Sequence, residues 1–93
     1  MSIKLVYGYD LKDEIRTLFT EYTEYLVEND GKFKEYLEIQ KYDDEHFILK
    51  TNAVVSDGLT KWVVQFGGKI KVKSPNDLIY DVKKKAEEII NNY

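Results

Sequence analysis

Ninety-three residues, 43% hydrophobic and 33% charged, carry one proline, no cysteine, a formal net charge of −3 and a pI near 5.1. That is the size of one domain with a single core. Disulfide staples and thiolate zinc sites are excluded, no apolar run approaches the ~18 residues of a membrane span, and the acidic balance disfavours nucleic acid as a partner.

In chain order, Ile3-Lys4-Leu5-Val6-Tyr7 alternates and is rich in strand formers, and Gly8 ends it. Asp10, with Asp13 three residues later, reads as an N-cap. Leu11, Ile15, Leu18, Phe19, Tyr22 and Leu26 then recur at helical spacing, which predicts a helix over about 11–28 that stops at Asn29-Asp30-Gly31. Residues 33–42 fit two templates: Phe33, Tyr36 and Leu37 suit a helix, whereas Leu37 and Ile39 with Glu38 and Gln40 opposite suit a strand. Asp43-Asp44-Glu45 reads as a turn and Phe47 to Val55 as a strand. Ser56-Asp57-Gly58 offers a cap for a short helix lined by Leu59, Trp62, Val63 and Phe66, which Gly67-Gly68 closes. Lys69 to Lys73 alternates with Ile70 and Val72 inward and three lysines outward, a pattern that suits a sheet edge. Ser74-Pro75-Asn76-Asp77 predicts a capping box, with Ser74 at N-cap, Pro75 at N1 and Asp77 at N3. Leu78, Val82, Ala86, Ile89 and Tyr93 form the stripe of a last helix. The expected fold is α+β: a ferredoxin-like βαββαβ sheet with helices on one face and an added C-terminal helix. One domain over 1–93 is expected.

Charge is divided unevenly. Residues 1–45 set six basic side chains against twelve carboxylates, a net of −6, and residues 46–93 set eight lysines against five, a net of +3. Two differently solvated faces explain this plainly; self-association of an acidic with a basic half explains it more pointedly. Eight tyrosines suit half-buried surface and interfaces.

No catalytic constellation stands out, and no catalytic, cofactor-binding or metal-ligating residue is expected. Asp43-Asp44-Glu45-His46 has metal-ligand residue types, but there is no second histidine, and an acidic hairpin turn accounts for it. The only nucleophile–base sets pair Ser56 or Ser74 with His46, and both serines read better as caps. Gly67-Gly68 follows a helix and opens a strand, the reverse of a phosphate-binding loop. Lys69, Lys71 and Lys73 read as a solvated face or as contacts to an anion. Asp10, Asp13 and Glu14 follow Lys4 too closely for a signal peptide, so the cytoplasm is the expected location.

The stretch from His46-Phe47-Ile48-Leu49 through Leu59-x-x-Trp62-Val63-Val64-Gln65-Phe66-Gly67, Ile70-x-Val72-x-x-Pro75-x-x-Leu78 and Ile89-Ile90-x-x-Tyr93 resembles the WCX module, the C-terminal extension of bacterial WYL-domain transcriptional regulators. The motif residues are Trp62, Phe66, Gly67, Gly68, Val72, Ser74, Pro75, Asp77, Leu78 and Tyr93; the chain departs at Ile79, where an arginine often follows the leucine. The resemblance implies a non-enzymatic regulatory or dimerisation module, with a homodimer mate or other protein as partner and room for a small-molecule effector. Residues 3–45 also resemble the opening of GNAT acetyltransferases, through Asp13-Glu14-Ile15-Arg16-x-Leu18-Phe19-x-Glu21-Tyr22 and Phe33-x-x-Tyr36-Leu37-x-x-Gln40-x-Tyr42. That likeness implies a helix over 33–41 and a mosaic or chimera joined near 45–46, without the family's acetyl-CoA loop.

Overall fold

A computed structural model of the chain describes residues 1–31 and 36–93. Its elements are β1 (Ser2–Gly8), α1 (Lys12–Asn29), β2 (Leu37–Lys41), β3 (His46–Asn52), α2 (Asp57–Val64), β4 (Ile70–Ser74) and α3 (Asn76–Asn91), with short 3₁₀ turns at Tyr9–Leu11 and Gly67–Lys69. The fold is α+β, with a four-stranded sheet in the order β2-β3-β1-β4 and every neighbouring pair antiparallel. Two strands each antiparallel to a shared neighbour run parallel to one another. α1 therefore connects the parallel pair β1 and β2 across β3, and α2 connects β3 and β4 across β1.

Register decides which side chains share a face. Leu5 pairs with Leu49 and with Val72, Tyr7 with Phe47 and Ile70, and Leu49 with Ile39. Successive strand residues point to opposite faces, so these form one apolar sheet face. On it pack Ile15 and Phe19 of α1, Leu59 and Val63 of α2 and Leu78 of α3, all in one buried cluster. Each fully buried residue of this kind contributes about 1.5–3 kcal/mol. The opposite face, with Lys4, Gln40, Lys71 and Lys73, is open. Val6 is the exception there, at 7% exposure between Ile48 and Lys71.

Polar groups inside the core are mostly matched. Thr23, buried in α1, donates its hydroxyl to Phe19 O at 2.9 Å and Thr20 O at 3.0 Å. Thr51 donates to Tyr36 O, and Thr60 to Ser56 O at 3.0 Å. The Tyr7 hydroxyl is the buried side-chain oxygen with no partner among the described residues.

Local expectations meet three corrections. First, α1 begins at Lys12 with Leu11 in the N-cap position and no side-chain cap, because a 3₁₀ turn absorbs Tyr9 to Leu11. Asp10 instead lies close over Gly8, where a Cβ would meet its Oδ1 at 2.7 Å. Second, the capping box at Ser74 does not form. Ser74 is the last residue of β4 and pairs with Lys4, so its backbone belongs to the ladder; Pro75, after a cis peptide bond, occupies the N-cap position, and its carbonyl accepts from Leu78 and Ile79. Asp77 consequently stands at N2 in the first turn of α3. Third, the apolar stripe of α3 is only partly used. Leu78 is fully buried and Val82 and Ala86 are half-buried, whereas Ile89 and Tyr93 are exposed. The Ser56 cap does form: its Oγ accepts from Leu59 N–H at 3.2 Å. α2 ends at Val64, and Gly67 takes a φ of 60° in the turn that leads to β4, a conformation that only glycine adopts without cost.

Residues 37–41 form a strand, because Leu37 and Ile39 face the core opposite Thr51 and Leu49. The helical alternative at Phe33 lies outside the described residues.

Candidate ligand and docking surfaces

Two hollows with distinct chemistry lie on opposite sides of the sheet. The first is a groove of about 380 Å³ between α1 and α2. Leu18, Tyr22 and Tyr25 of α1 face Leu59 and Trp62 of α2 across it, with Phe19 at the base and Glu21 at the rim. Phe19 and Trp62 meet edge to face with centroids 4.8 Å apart, Trp62 and Phe66 at 4.9 Å, and Phe19 and Tyr22 at 6.0 Å. Such pairs add about 0.5–1.5 kcal/mol beyond area burial at the base of the groove, while Tyr25 is 60% exposed. Trp62 thus belongs to this groove and Phe66 backs it, while Leu78 and Val72 support the core beneath β4.

The second hollow, about 290 Å³, lies on the open sheet face. Lys69, Lys71 and Lys73 line it together with Gly68, and Val6, Tyr42 and the Asp43–His46 pair complete it. β4 is the sheet edge, as its lysine stripe suggests. Its register against β1 shifts between Lys4 and Leu5, where Val72 and Ser74 are the consecutive partners, so Lys73 is the extra residue of a bulge. Lys73 Nζ stands 5.5 Å over the Tyr42 ring. Among the described residues the ion pairs involve Lys41, Lys61, Lys85 and His46, and none includes these three lysines.

The acidic hairpin is internally satisfied. Asp43 Oδ1 accepts from Glu45 N–H at 2.8 Å and lies 2.8 Å from His46 Nδ1, and the Glu45 amide first, then His46, hold its carboxyl below the usual carboxylate range. Asp44 pairs with Lys41 at 3.1 Å. No group of three or more His, Cys, Asp or Glu among the described residues is placed to hold a metal ion. Ser74 and His46 sit opposite Lys4 and Gly8 on the two strands that flank β1, offset by about 13 Å along it at ~3.3 Å per residue, with β1 between them. A third, polar hollow between α2 and α3 holds Asp57, which bridges Lys61 at 3.0 Å and Lys85 at 3.4 Å.

Sequence reasoning located the lysines, Gly68, Trp62 and Phe66, but neither hollow. Val6 and Tyr42 join the lysines only because the strand order carries β1 and the β2–β3 hairpin beside β4. The available signal was that Val6 interrupts an otherwise strict alternation. For the groove, the signal was the surplus of Leu18, Tyr22 and Tyr25 on a helix whose core contacts needed only Ile15 and Phe19.

These features define a small α+β module with an apolar aromatic groove on one side and, among the described residues, a basic edge without ion pairs on the other. The WCX domain family model matches residues 11–90, and the chain belongs to that family. Neither the comparison with curated proteins nor that with solved structures finds a match. The single family match runs across residues 45–46, and a strand occupies 37–41; the acetyltransferase likeness, which implies helix there, gains no support. No described helix is long and apolar enough to cross a membrane.

Proposed function

We infer that this domain is the regulatory module of a WYL-type bacterial transcriptional regulator, that it acts through protein contacts without catalysis of its own, and that it pairs with a second copy through the α1–α2 groove. Family membership supports the regulatory role. The βαββαβ succession, with the order read as β4-β1-β3-β2, supports a ferredoxin-like classification.

The observation that carries the pairing is the groove itself. It is apolar and aromatic, as the cores of protein interfaces are. The exposed side of α1 around it is acidic through Glu14, Glu21, Glu24 and Glu28. α3 offers an apolar end: Ile89, Ile90 and Tyr93 lie exposed, with Glu87 and Glu88 next to them and Lys83 and Lys84 a turn or more earlier. An apolar aromatic groove and an exposed apolar helix end on one chain suit reciprocal docking in a two-fold dimer.

Sedimentation velocity across a wide concentration range tests this. The mass is expected to rise from monomer to dimer, with a blue shift of the single tryptophan, Trp62, as the groove closes. Tyr25→Glu and Ile90→Lys, both at exposed positions, are each expected to hold the chain monomeric with its fold intact. A mass that stays monomeric at every concentration, or variants that associate like the parent, would overturn the pairing.

A further inference from the structure

We propose that the hollow on the open sheet face is a binding site for a phosphate-bearing ligand, with Lys69, Lys71 and Lys73 as the phosphate contacts. This goes beyond the pairing above, which uses the opposite side of the sheet.

Charge comes first. The chain as a whole is at −3, yet this hollow gathers three lysines; elsewhere on the same face Lys4 and Lys50 stand in register, with Glu38 next to Lys50. None of the three lining lysines has a carboxylate partner among the described residues. The one carboxylate in the lining, Asp43, is already occupied by the Glu45 amide and by His46 Nδ1. Gathering unpaired ammonium groups raises the local potential, and an anion placed between them relieves it. Lysine binds phosphate well as a point charge.

Shape is the second observation. Alternation keeps Lys69, Lys71 and Lys73 on one face, and Lys73, at the bulge, stands over the Tyr42 ring in a cation–π contact that holds it. Gly68 adds no side chain to its edge of the hollow, and a Cβ there would meet nothing within 4 Å. At about 290 Å³ and ~30 Å³ per water, the space equals about ten waters, more than an inorganic phosphate fills. Val6, nearly buried, and Tyr42 supply an apolar wall for the remainder. A phosphate with a planar organic group attached, as in a nucleotide, suits both parts. The phosphate can come from a free nucleotide or from a single-stranded nucleic-acid backbone.

Amide NMR titration of the whole chain at low salt, with 5′-AMP, adenosine, inorganic phosphate and an oligothymidylate as probes, tests the site. 5′-AMP is expected to shift the amides of Val6, Tyr42, Lys71 and Lys73 saturably, phosphate to shift the lysines more weakly, and adenosine to shift none. Lys71→Gln with Lys73→Gln should weaken binding by about tenfold or more. Lys83→Gln with Lys84→Gln, the same change of net charge on α3, should leave it unaltered. Lysine-dependent shifts with oligothymidylate but not with 5′-AMP would support the phosphate site and assign its source to nucleic acid. Absence of shifts with every phosphate-bearing probe, or equal loss in the two double variants, would overturn it. Because the readout is local to the open face, the outcome is independent of whether the groove mediates pairing.

Discussion

Replacing Tyr7 with phenylalanine should stabilise the domain. Tyr7 is fully buried at the centre of the core, its ring 6.2 Å from that of Phe47, and its hydroxyl meets no hydrogen-bond partner among the described residues. A buried hydroxyl stripped of water without compensation costs about 1–3 kcal/mol. Phenylalanine keeps the ring and its stacking and removes only that oxygen, forfeiting a few dispersion contacts of about 0.1–0.2 kcal/mol each. The expected net gain is about 1 kcal/mol, a rise in Tm of roughly 4–8 °C for a domain of this size. Urea unfolding should give a higher midpoint at unchanged slope. A second readout comes from alkaline pH. Burial raises the Tyr7 hydroxyl above its ordinary range, with Arg16 pulling weakly the other way. The folded chain therefore keeps a proton that the unfolded chain releases above pH ~10. By linkage, stability is full below that pH and declines as pH rises toward the folded value. The Phe variant should lose less stability than the parent over this alkaline range. A loss of stability of about 1 kcal/mol, or identical alkaline profiles, would show that the hydroxyl is bonded and refute the reasoning.

Two further outcomes follow from the helix ends. Ser56→Ala should cost about 1 kcal/mol in chemical denaturation, because Ser56 Oγ caps α2, whereas Ser74→Ala should stay within about 0.5 kcal/mol, since no side chain caps α3; the reverse ranking would restore the capping box. Asp57 is held below the ordinary carboxylate range by Lys61 first and Lys85 second, so its ion pairs are fully present above pH ~3.9 and lost as acidification passes through the lower folded value. Asp57→Asn should flatten that part of the acid melting profile, by a small amount because the pairs are solvent-screened, and parallel profiles for parent and variant would contradict the assignment.

The sequence by itself determined what depends on neighbours along the chain. The alternation from Ile3 to Tyr7 and from Lys69 to Lys73, the helical spacing of Ile15 and Phe19, and the serine ahead of α2 all report short-range geometry, and the structure has these elements in that order. The family likeness of the C-terminal half was legible for the same reason, since its motif residues lie close together. Tertiary structure decided whatever depends on partners distant in the chain. Residues 37–41 are compatible with two conformations until β3 supplies Thr51 and Leu49 as ladder partners. Ser74 has every local property of a cap, yet pairing with Lys4, seventy positions earlier, draws its backbone into the sheet. Tyr93 continues an apolar stripe in sequence but is fully exposed in the fold. Neither hollow could be read in advance, because each joins side chains from elements far apart in the chain, and only the strand order brings those elements together.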